Sequence, residues 1–293
     1  MKPLLVTGSA GLVGTAFVRE AAAAGLELRR FDPRESRPVD RGDVRETAAL
    51  ARAADGCGGI VHLAAVSRVV WAERDPAACR RTNVDGTANV LAAARRSSAW
   101  VLLASSREVY GRAARLPADE DTPTAPVNVY GASKLAAERL VLDARTAGVR
   151  TAAVRLSNVY GSPADHPDRV APAFARAAAL GQPLILEGPD HVFDFTHVED
   201  TARGLLALVR RLEDGGTDLP LLHLLTGRAT SLRRLAELAV AAGTGRSALR
   251  EATPRGFDVE RFWGDPRRAR DVLGWEARIS LEDGIARLVA DFA

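Results

Sequence analysis

Lysine is nearly absent from this chain: 293 residues hold 38 arginines but only Lys2 and Lys134. Aromatic residues are also few, at 5%, and tyrosine is restricted to Tyr110, Tyr130 and Tyr160. Only two cysteines occur, Cys57 and Cys79, without the spacing of a thiolate metal site. That scarcity argues against a disulfide scaffold and for a reducing compartment, with no metal expected. No apolar run approaches the roughly 18 residues of a membrane-spanning helix, so no membrane partner is expected. The residues up to Gly8 carry one positive charge and an apolar run too short for a secretory signal, so the expected location is cytoplasmic. A net charge of +3, without a basic block interleaved with aromatics, argues against nucleic acid and suits an anionic small molecule.

Alternation is what the chain does have. Apolar strand-like runs at 3–7, 26–31, 59–63, 100–105 and 149–155 alternate with helical patterns at 12–24, 75–96 and 128–147. This order predicts an α/β fold with a doubly wound parallel sheet. Arg29 and Arg30 interrupt the second strand, and Asp75-Pro76 supplies an N-cap and an N1 proline for the helix that follows. Beyond Gly161 the texture changes to a polar loop at 161–169 and an alanine-rich helix near 170–180. A helix at 198–212 and a strand at 220–225 can rejoin the sheet, and Ser280 with Asp283 forms a capping box for the last helix. The expected division is a dinucleotide-binding domain over 1–160, with 196–225 returning to it. A smaller, mostly helical substrate lobe takes 161–195 and 226–293.

The run Thr7-Gly8-Ser9-Ala10-Gly11-Leu12-Val13-Gly14 follows an apolar strand and opens a helix. That context is what a Rossmann dinucleotide site requires. Gly8 allows the tight turn, Gly11 lets a pyrophosphate approach the backbone, and Gly14 lets helix pack on strand. The helix N-terminus then faces the phosphates. Asp32 closes the second strand, where a carboxylate bonds the ribose 2′-hydroxyl of NAD and repels the 2′-phosphate of NADP. Arg30 and Arg34 flank it and offer that phosphate a partner, so NAD is favoured rather than required. Asp43 and Val44 lie in a turn suited to adenine.

Tyr130 and Lys134 stand four residues apart on an expected helix, so both side chains reach one small volume. A fixed cation beside a phenol favours phenolate and moves tyrosine down from its ordinary value of about 10. A chain that writes nearly every cation as arginine has kept a compact ammonium at this one interior position.

With these residues in place, the chain resembles the extended short-chain dehydrogenase/reductases, in particular the NAD-dependent nucleotide-sugar epimerase/dehydratase group. The resemblance covers nearly the whole chain. It rests on Thr7–Gly14, Asp43-Val44, His62-Leu63-Ala64-Ala65, the run from Asn83 to Thr87 and the run from Ser105 to Gly111. It continues through Tyr130–Lys134, the run from Arg155 to Gly161, that from Asp194 to Asp200 and that from Arg255 to Asp258.

The resemblance implies that Tyr130 is the acid/base on the sugar hydroxyl, Lys134 holds the nicotinamide ribose, and Ser106 shares a hydrogen bond with the reacting oxygen. It implies that Leu63, Ala64 and Ala65 line the cofactor, and that Asn158 and Arg255 contact the sugar-nucleotide diphosphate. Ser67 and Arg68 join the expected substrate contacts. Asn83, His197 and Asp200 read as structural. Homodimerisation through helices near 84–96 and 130–147 is common in such enzymes.

Two departures bear on the reaction. Related dehydratases place a proton-donating aspartate between the residues matching Ser106 and Glu108; here that position is Arg107. Where such families carry Arg-Asp-Phe, this chain has Phe193-Asp194-Phe195, so an arginine that commonly grips the nucleotide is gone. Arg68, Arg74 or Arg169 is the expected substitute. If the strand runs through Ser106 and Glu108, both face one side. The expected activity is nucleotide-sugar 4-epimerisation through a transient 4-keto sugar. The alternatives are decarboxylation or dehydration with Glu108 as base, or net reduction with an exchangeable NAD(P)H.

Overall fold

A computed structural model of the chain describes residues 2–253 and 259–293. The first half builds β1 (Leu4–Thr7), α1 (Leu12–Ala23), β2 (Leu28–Phe31), α2 (Thr47–Ala54), β3 (Gly59–His62), α3 (Val69–Arg74), α4 (Pro76–Arg80), α5 (Gly86–Ser97), β4 (Trp100–Ser106), α6 (Val129–Thr146) and β5 (Thr151–Leu156). The second half builds β6 (Asn158–Tyr160), α7 (Val170–Ala179), β7 (Leu184–Glu187), β8 (Val192–Phe193), β9 (Phe195–His197), α8 (Val198–Glu213) and β10 (Leu222–Leu224). It ends with β11 (Thr230–Ser231), α9 (Leu232–Ala242), β12 (Leu249–Ala252), β13 (Arg261–Phe262), α10 (Arg267–Leu273) and α11 (Leu281–Ala290).

The main sheet is parallel with strand order β10-β5-β4-β3-β1-β2. Strand order reverses at β1 and β3, and ligands of open α/β sheets bind beyond the carboxyl ends of strands at such a point. β1 is buried throughout because helices cover both faces. β2 is the edge strand, which is why Arg29 and Arg30 stay exposed without breaking it. One face packs Leu4, Phe17, Leu102 and Leu205 under α1 and α8; the other packs Leu5, Ile60, Val101 and Val141 under α2, α5 and α6.

The helix opened by Asp75, whose carboxylate accepts from the Ala78 N–H at 2.8 Å, is not uniform. It passes through a π turn at Arg81–Asp85 before continuing as α5. That bulge turns Asn83 inward, where it accepts from the Val66 N–H at 2.8 Å and donates to Ser133 Oγ at 2.8 Å. Asn83 therefore ties the loop after β3 to α6, as a structural residue does.

A second apolar cluster joins Tyr160, Phe174, Leu184, Phe193, Leu235 and Ile285 from α7, α9, α11 and short strands. Beside its helices this region carries two small sheets, β7–β12 and β11–β8–β13, absent from the expectation of a mostly helical lobe. Their strands are two to four residues long, too short for a period-two pattern to register. Asp194 joins this region to the sheet: its buried carboxylate accepts from Thr226 N, Thr226 Oγ1 and Gly227 N at 2.7–2.9 Å. The Ser280–Asp283 capping box forms as expected, with Ser280 Oγ accepting from the Asp283 N–H at 3.0 Å. Among the described residues no helix is long and apolar enough to cross a membrane.

Candidate active site

The glycine loop is shaped by contacts that no side chain would survive. Gly8 has φ +72° and a Cβ there would lie 2.6 Å from the Ala64 nitrogen; one on Gly14 would lie 2.1 Å from the Gly8 carbonyl oxygen. Gly11 caps α1, and the Phe31 N–H donates to Ser9 Oγ at 3.1 Å, fastening the loop to β2. The loop, the α1 N-terminus with Leu12 and Val13, and the β3 end at Leu63, Ala64 and Ala65 form the cradle that a dinucleotide needs.

Asp32 is buried at the rim of this cradle. Its Oδ1 accepts from Arg34 N at 2.9 Å and Nε at 3.2 Å, while Arg30 turns to Glu35 at 3.8 Å. Arg34 is thus held by the carboxylate that would otherwise repel a 2′-phosphate. Replacing Asp32 with Ala releases it: NAD affinity should fall about tenfold or more while NADP affinity rises, as read by calorimetry with each dinucleotide. A variant that keeps its original ratio would remove Asp32 from ribose recognition.

Asp43 is half-buried and paired with Arg45, whose hydrogen bond holds its carboxyl below the usual range. Val44 sits in the core, with its carbonyl accepting from Asn89 at 2.9 Å. The Val44 side chain therefore supports the turn from beneath.

A cavity of about 500 Å³ opens beside the cradle. Val13, Leu63 and Ala65 line the side next to the cradle; Ser106, Tyr130 and Lys134 meet within it. Glu108, Asn158, Ser67 and Arg68 are on its walls as well. Arg255 lies outside the described residues. Asn128 caps α6, accepting from the Gly131 N–H at 2.7 Å, which fixes the turn that carries Tyr130.

The electrostatics of the pair differ from the expectation. Burial pushes the Tyr130 phenol up, with the Ser106 hydroxyl and the Arg169 charge opposing it. Burial pushes the Lys134 ammonium down to about 8, with the Glu138 carboxylate opposing it. Desolvation is the largest influence on both groups, and the charges that act on the phenol are those of Arg169 and Glu108 rather than Lys134, so the lysine does not by itself make a phenolate.

Glu108 also departs from the expectation. β4 ends at Ser106 and a 3₁₀ turn covers Arg107–Tyr110, so the two side chains are not strand neighbours. Glu108 is buried, and each of its oxygens has a partner. Arg107 Nη2 lies 2.8 Å from Oε1, and Asn128 Nδ2 donates to Oε2 at 2.9 Å.

Of the three arginines expected to replace the missing one, Arg68 and Arg169 line the cavity; Arg74 is exposed on α3. Arg68 pairs with Asp168 at 2.5 Å, and Arg169 donates to Ser67 Oγ at 3.3 Å. Among the described residues, the cation laid over Phe193 is instead Arg107, its guanidinium carbon 4.8 Å from the ring centroid. Its presence between Ser106 and Glu108 was the signal available; its path across the cavity was not. His62 also went unassigned. It braces β1 and α5 through Thr7 Oγ1 at 2.7 Å and Thr87 Oγ1 at 3.0 Å, and burial pushes it down to about 3.

A dinucleotide cradle at the switch point of a doubly wound sheet, opening onto a Ser–Tyr–Lys cavity, defines a short-chain dehydrogenase/reductase-type enzyme. The chain belongs to the NAD dependent epimerase/dehydratase family, whose model matches residues 4–219, and its cofactor is NAD. It is 31% identical to a dTDP-glucose 4,6-dehydratase of Streptomyces griseus, over 98% of this chain and 93% of that one. It is 30% identical to a UDP-glucose 4-epimerase of Azospirillum brasilense, over 97% and 90%. A solved structure of MoeE5 in complex with UDP-glucuronic acid and NAD superposes with a TM-score of 0.89 at 30% identity, covering 98% of each chain.

Proposed function

We propose that the protein is a nucleotide-sugar 4-epimerase working through a transient 4-keto sugar. One observation weighs against elimination with Glu108 as base: its carboxylate is tied by Arg107 at Oε1 and by Asn128 at Oε2. A general base must be aimed at the proton it removes, and these two bonds fix where the carboxylate points. Glu108 here is a fixed acceptor that positions Arg107. The aspartate that would protonate a leaving hydroxyl is replaced by an arginine, which carries no proton to give near neutral pH.

Gly8, Gly11, Gly14, Asp32 and Lys134 are the residues that would hold NAD, with Leu63, Ala64 and Ala65 along its side. When bound there, NAD would supply a reversible hydride acceptor. Tyr130 takes the proton from the sugar C4 hydroxyl and returns it after the ketone has presented its other face. Ser106 donates to the same oxygen. Lys134 supports the phenolate electrostatically and holds the ribose.

The test is product analysis by NMR with uridine and thymidine diphosphate sugars. Interconversion at C4 without net NAD consumption is expected. Loss of water or of carbon dioxide as the main reaction would replace this reading with the elimination or decarboxylation alternative. Glu108→Gln should retain epimerisation within about tenfold, because an amide still accepts one of the two donors. Complete loss in a folded Glu108→Gln variant would make Glu108 a proton carrier.

A further inference from the structure

Glu138 follows Lys134 by one helical turn, so Tyr130, Lys134 and Glu138 form one stripe along α6. Like the lysine it is buried, at 2% exposure, and no step of the reaction above uses it. Its carboxylate is held by Arg155 of β5 through two bonds, from Nε to Oε2 at 3.1 Å and from Nη2 to Oε1 at 2.6 Å. Arg155 is fixed in turn. Its Nη1 donates to Tyr110 Oη at 2.6 Å and to the Glu120 carbonyl at 3.1 Å, and its guanidinium carbon lies 4.7 Å from the Tyr110 ring centroid. The carboxylate is thereby locked in place one turn from the ammonium.

Packing alone gives a weak reason for such a pair. Taking both charges out of water is costly, and apolar side chains of similar volume join a helix to a strand at least as well. The surroundings of Lys134 give it another use. The titratable groups around the ammonium are Tyr130 and Glu138 on α6, Cys79 on α4 and His62 on β3. Burial keeps Tyr130 a phenol and Cys79 a thiol near neutrality, and it holds His62 neutral. Glu108 and Arg169 act on the phenol. Among the described residues, Glu138 is then the anion that acts on the ammonium near neutral pH.

We infer that Glu138, locked by Arg155, is a positioning residue of the active site: it is the counter-charge that keeps Lys134 an ammonium beside the dinucleotide cradle. It offsets part of what burial costs the lysine. An ammonium offers three donors and a charge to a ribose and a phenolate, whereas the neutral amine has lost the charge and one donor. The inference holds for epimerisation, elimination or reduction alike; from the reading above it takes only the part of Lys134 in holding the ribose.

The scarcity of lysine supplies the experiment. With only Lys2 and Lys134 in the chain, protein isotope-labelled at lysine Cε gives two lysine signals by NMR, and Lys2→Arg assigns them. A pH titration of the full chain, with and without NAD, then reads the ionisation of Lys134 directly. Wild type without NAD should titrate near 8. Glu138→Gln should make the ammonium about tenfold more acidic, the effect of one buried charge a helical turn away. Glu138→Asp, which keeps the charge, should stay within about threefold of wild type. Should Glu138→Gln fail to fold around Arg155, Glu138→Met combined with Arg155→Met replaces the pair by apolar volume and should move the lysine in the same direction. A pair that served packing alone would leave the Lys134 titration unchanged, whatever its effect on the melting temperature. An unmoved lysine in folded Glu138→Gln, or in the folded double variant, overturns the assignment. Calorimetry with NAD gives a second readout: Glu138→Gln should lose more affinity at about pH 8 than at about pH 6, where both proteins keep the lysine charged. A shifted lysine with unchanged NAD affinity at both pH values supports the counter-charge and removes Lys134 from the ribose.

Discussion

Tyr130→Phe should leave a folded, NAD-binding protein that no longer turns over sugar nucleotides. The phenol oxygen sits in the cavity with Ser106 and Lys134, while the ring and its backbone serve the start of α6. Phenylalanine keeps the ring and its packing but has no proton to exchange with a substrate hydroxyl. General acid–base groups contribute about two to four orders of magnitude, and here no second group is placed to substitute. Ser106 is a hydroxyl whose own ionisation lies far above neutrality, and Glu108 is bonded on both oxygens. The loss should therefore reach the upper end, at about 10⁴-fold in kcat, with dissociation constants for NAD and substrate changed by less than about threefold. Steady-state kinetics and calorimetry on one preparation check both halves. Activity within tenfold of wild type would remove Tyr130 as the proton carrier; lost NAD affinity would make its role one of cofactor binding. The same chemistry sets a pH profile. Burial raises the Tyr130 phenol, so the phenolate needed to oxidise an alcohol becomes more abundant as pH rises. The alkaline direction should therefore favour the ketone-forming half-reaction in wild type, and Tyr130→Phe should lose that dependence.

Much of this site was legible because its signals are local. The glycine loop, Asp32, the α6 N-terminus and the Tyr130–Lys134 spacing each depend on a few consecutive residues, and the fold places all of them around one crevice. The Ser280–Asp283 box was readable for the same reason, since a cap acts within a few residues. What escaped depends on where an element stops or what lies across from it. Glu108 was placed on a strand that ends two residues earlier, and a 3₁₀ turn reverses the geometry that alternation implies. Arg107 was legible as a departure but not as a cation laid across Phe193 and Phe262, because those rings come from β8 and β13, more than eighty residues away. The charge balance at Tyr130 failed for a different reason. Spacing along a helix reports proximity, whereas ionisation is decided by desolvation, which only the packed structure reveals.

Lys134→Met should inactivate the enzyme and yet make the cofactor-free protein more stable. Lys134 is 4% exposed, and burial lowers its ammonium from an ordinary value of 10.5 to about 8. The charged form is therefore disfavoured in the fold by about 3 kcal/mol relative to the neutral amine, at about 1.4 kcal/mol for each tenfold in acidity. Near pH 7 both the folded and unfolded chains carry the charge, so the folded protein bears that cost in full. Methionine fills a similar volume with no charge, and removes most of it. The pH dependence gives the test its sign. Between about 8 and 10.5 the unfolded chain keeps the lysine proton that the folded chain has released. Stability rises with pH wherever the unfolded state binds more protons, so wild type gains on the variant across this window. The melting temperature of Lys134→Met should exceed that of wild type by several degrees at pH 7, with the difference shrinking towards pH 10. The opposite order at pH 7, or a difference independent of pH, would show that the ammonium is solvated or paired rather than stranded. A stabilising change that abolishes turnover identifies the lysine as kept for chemistry at a cost to the fold, which is what its isolation among 38 arginines suggests.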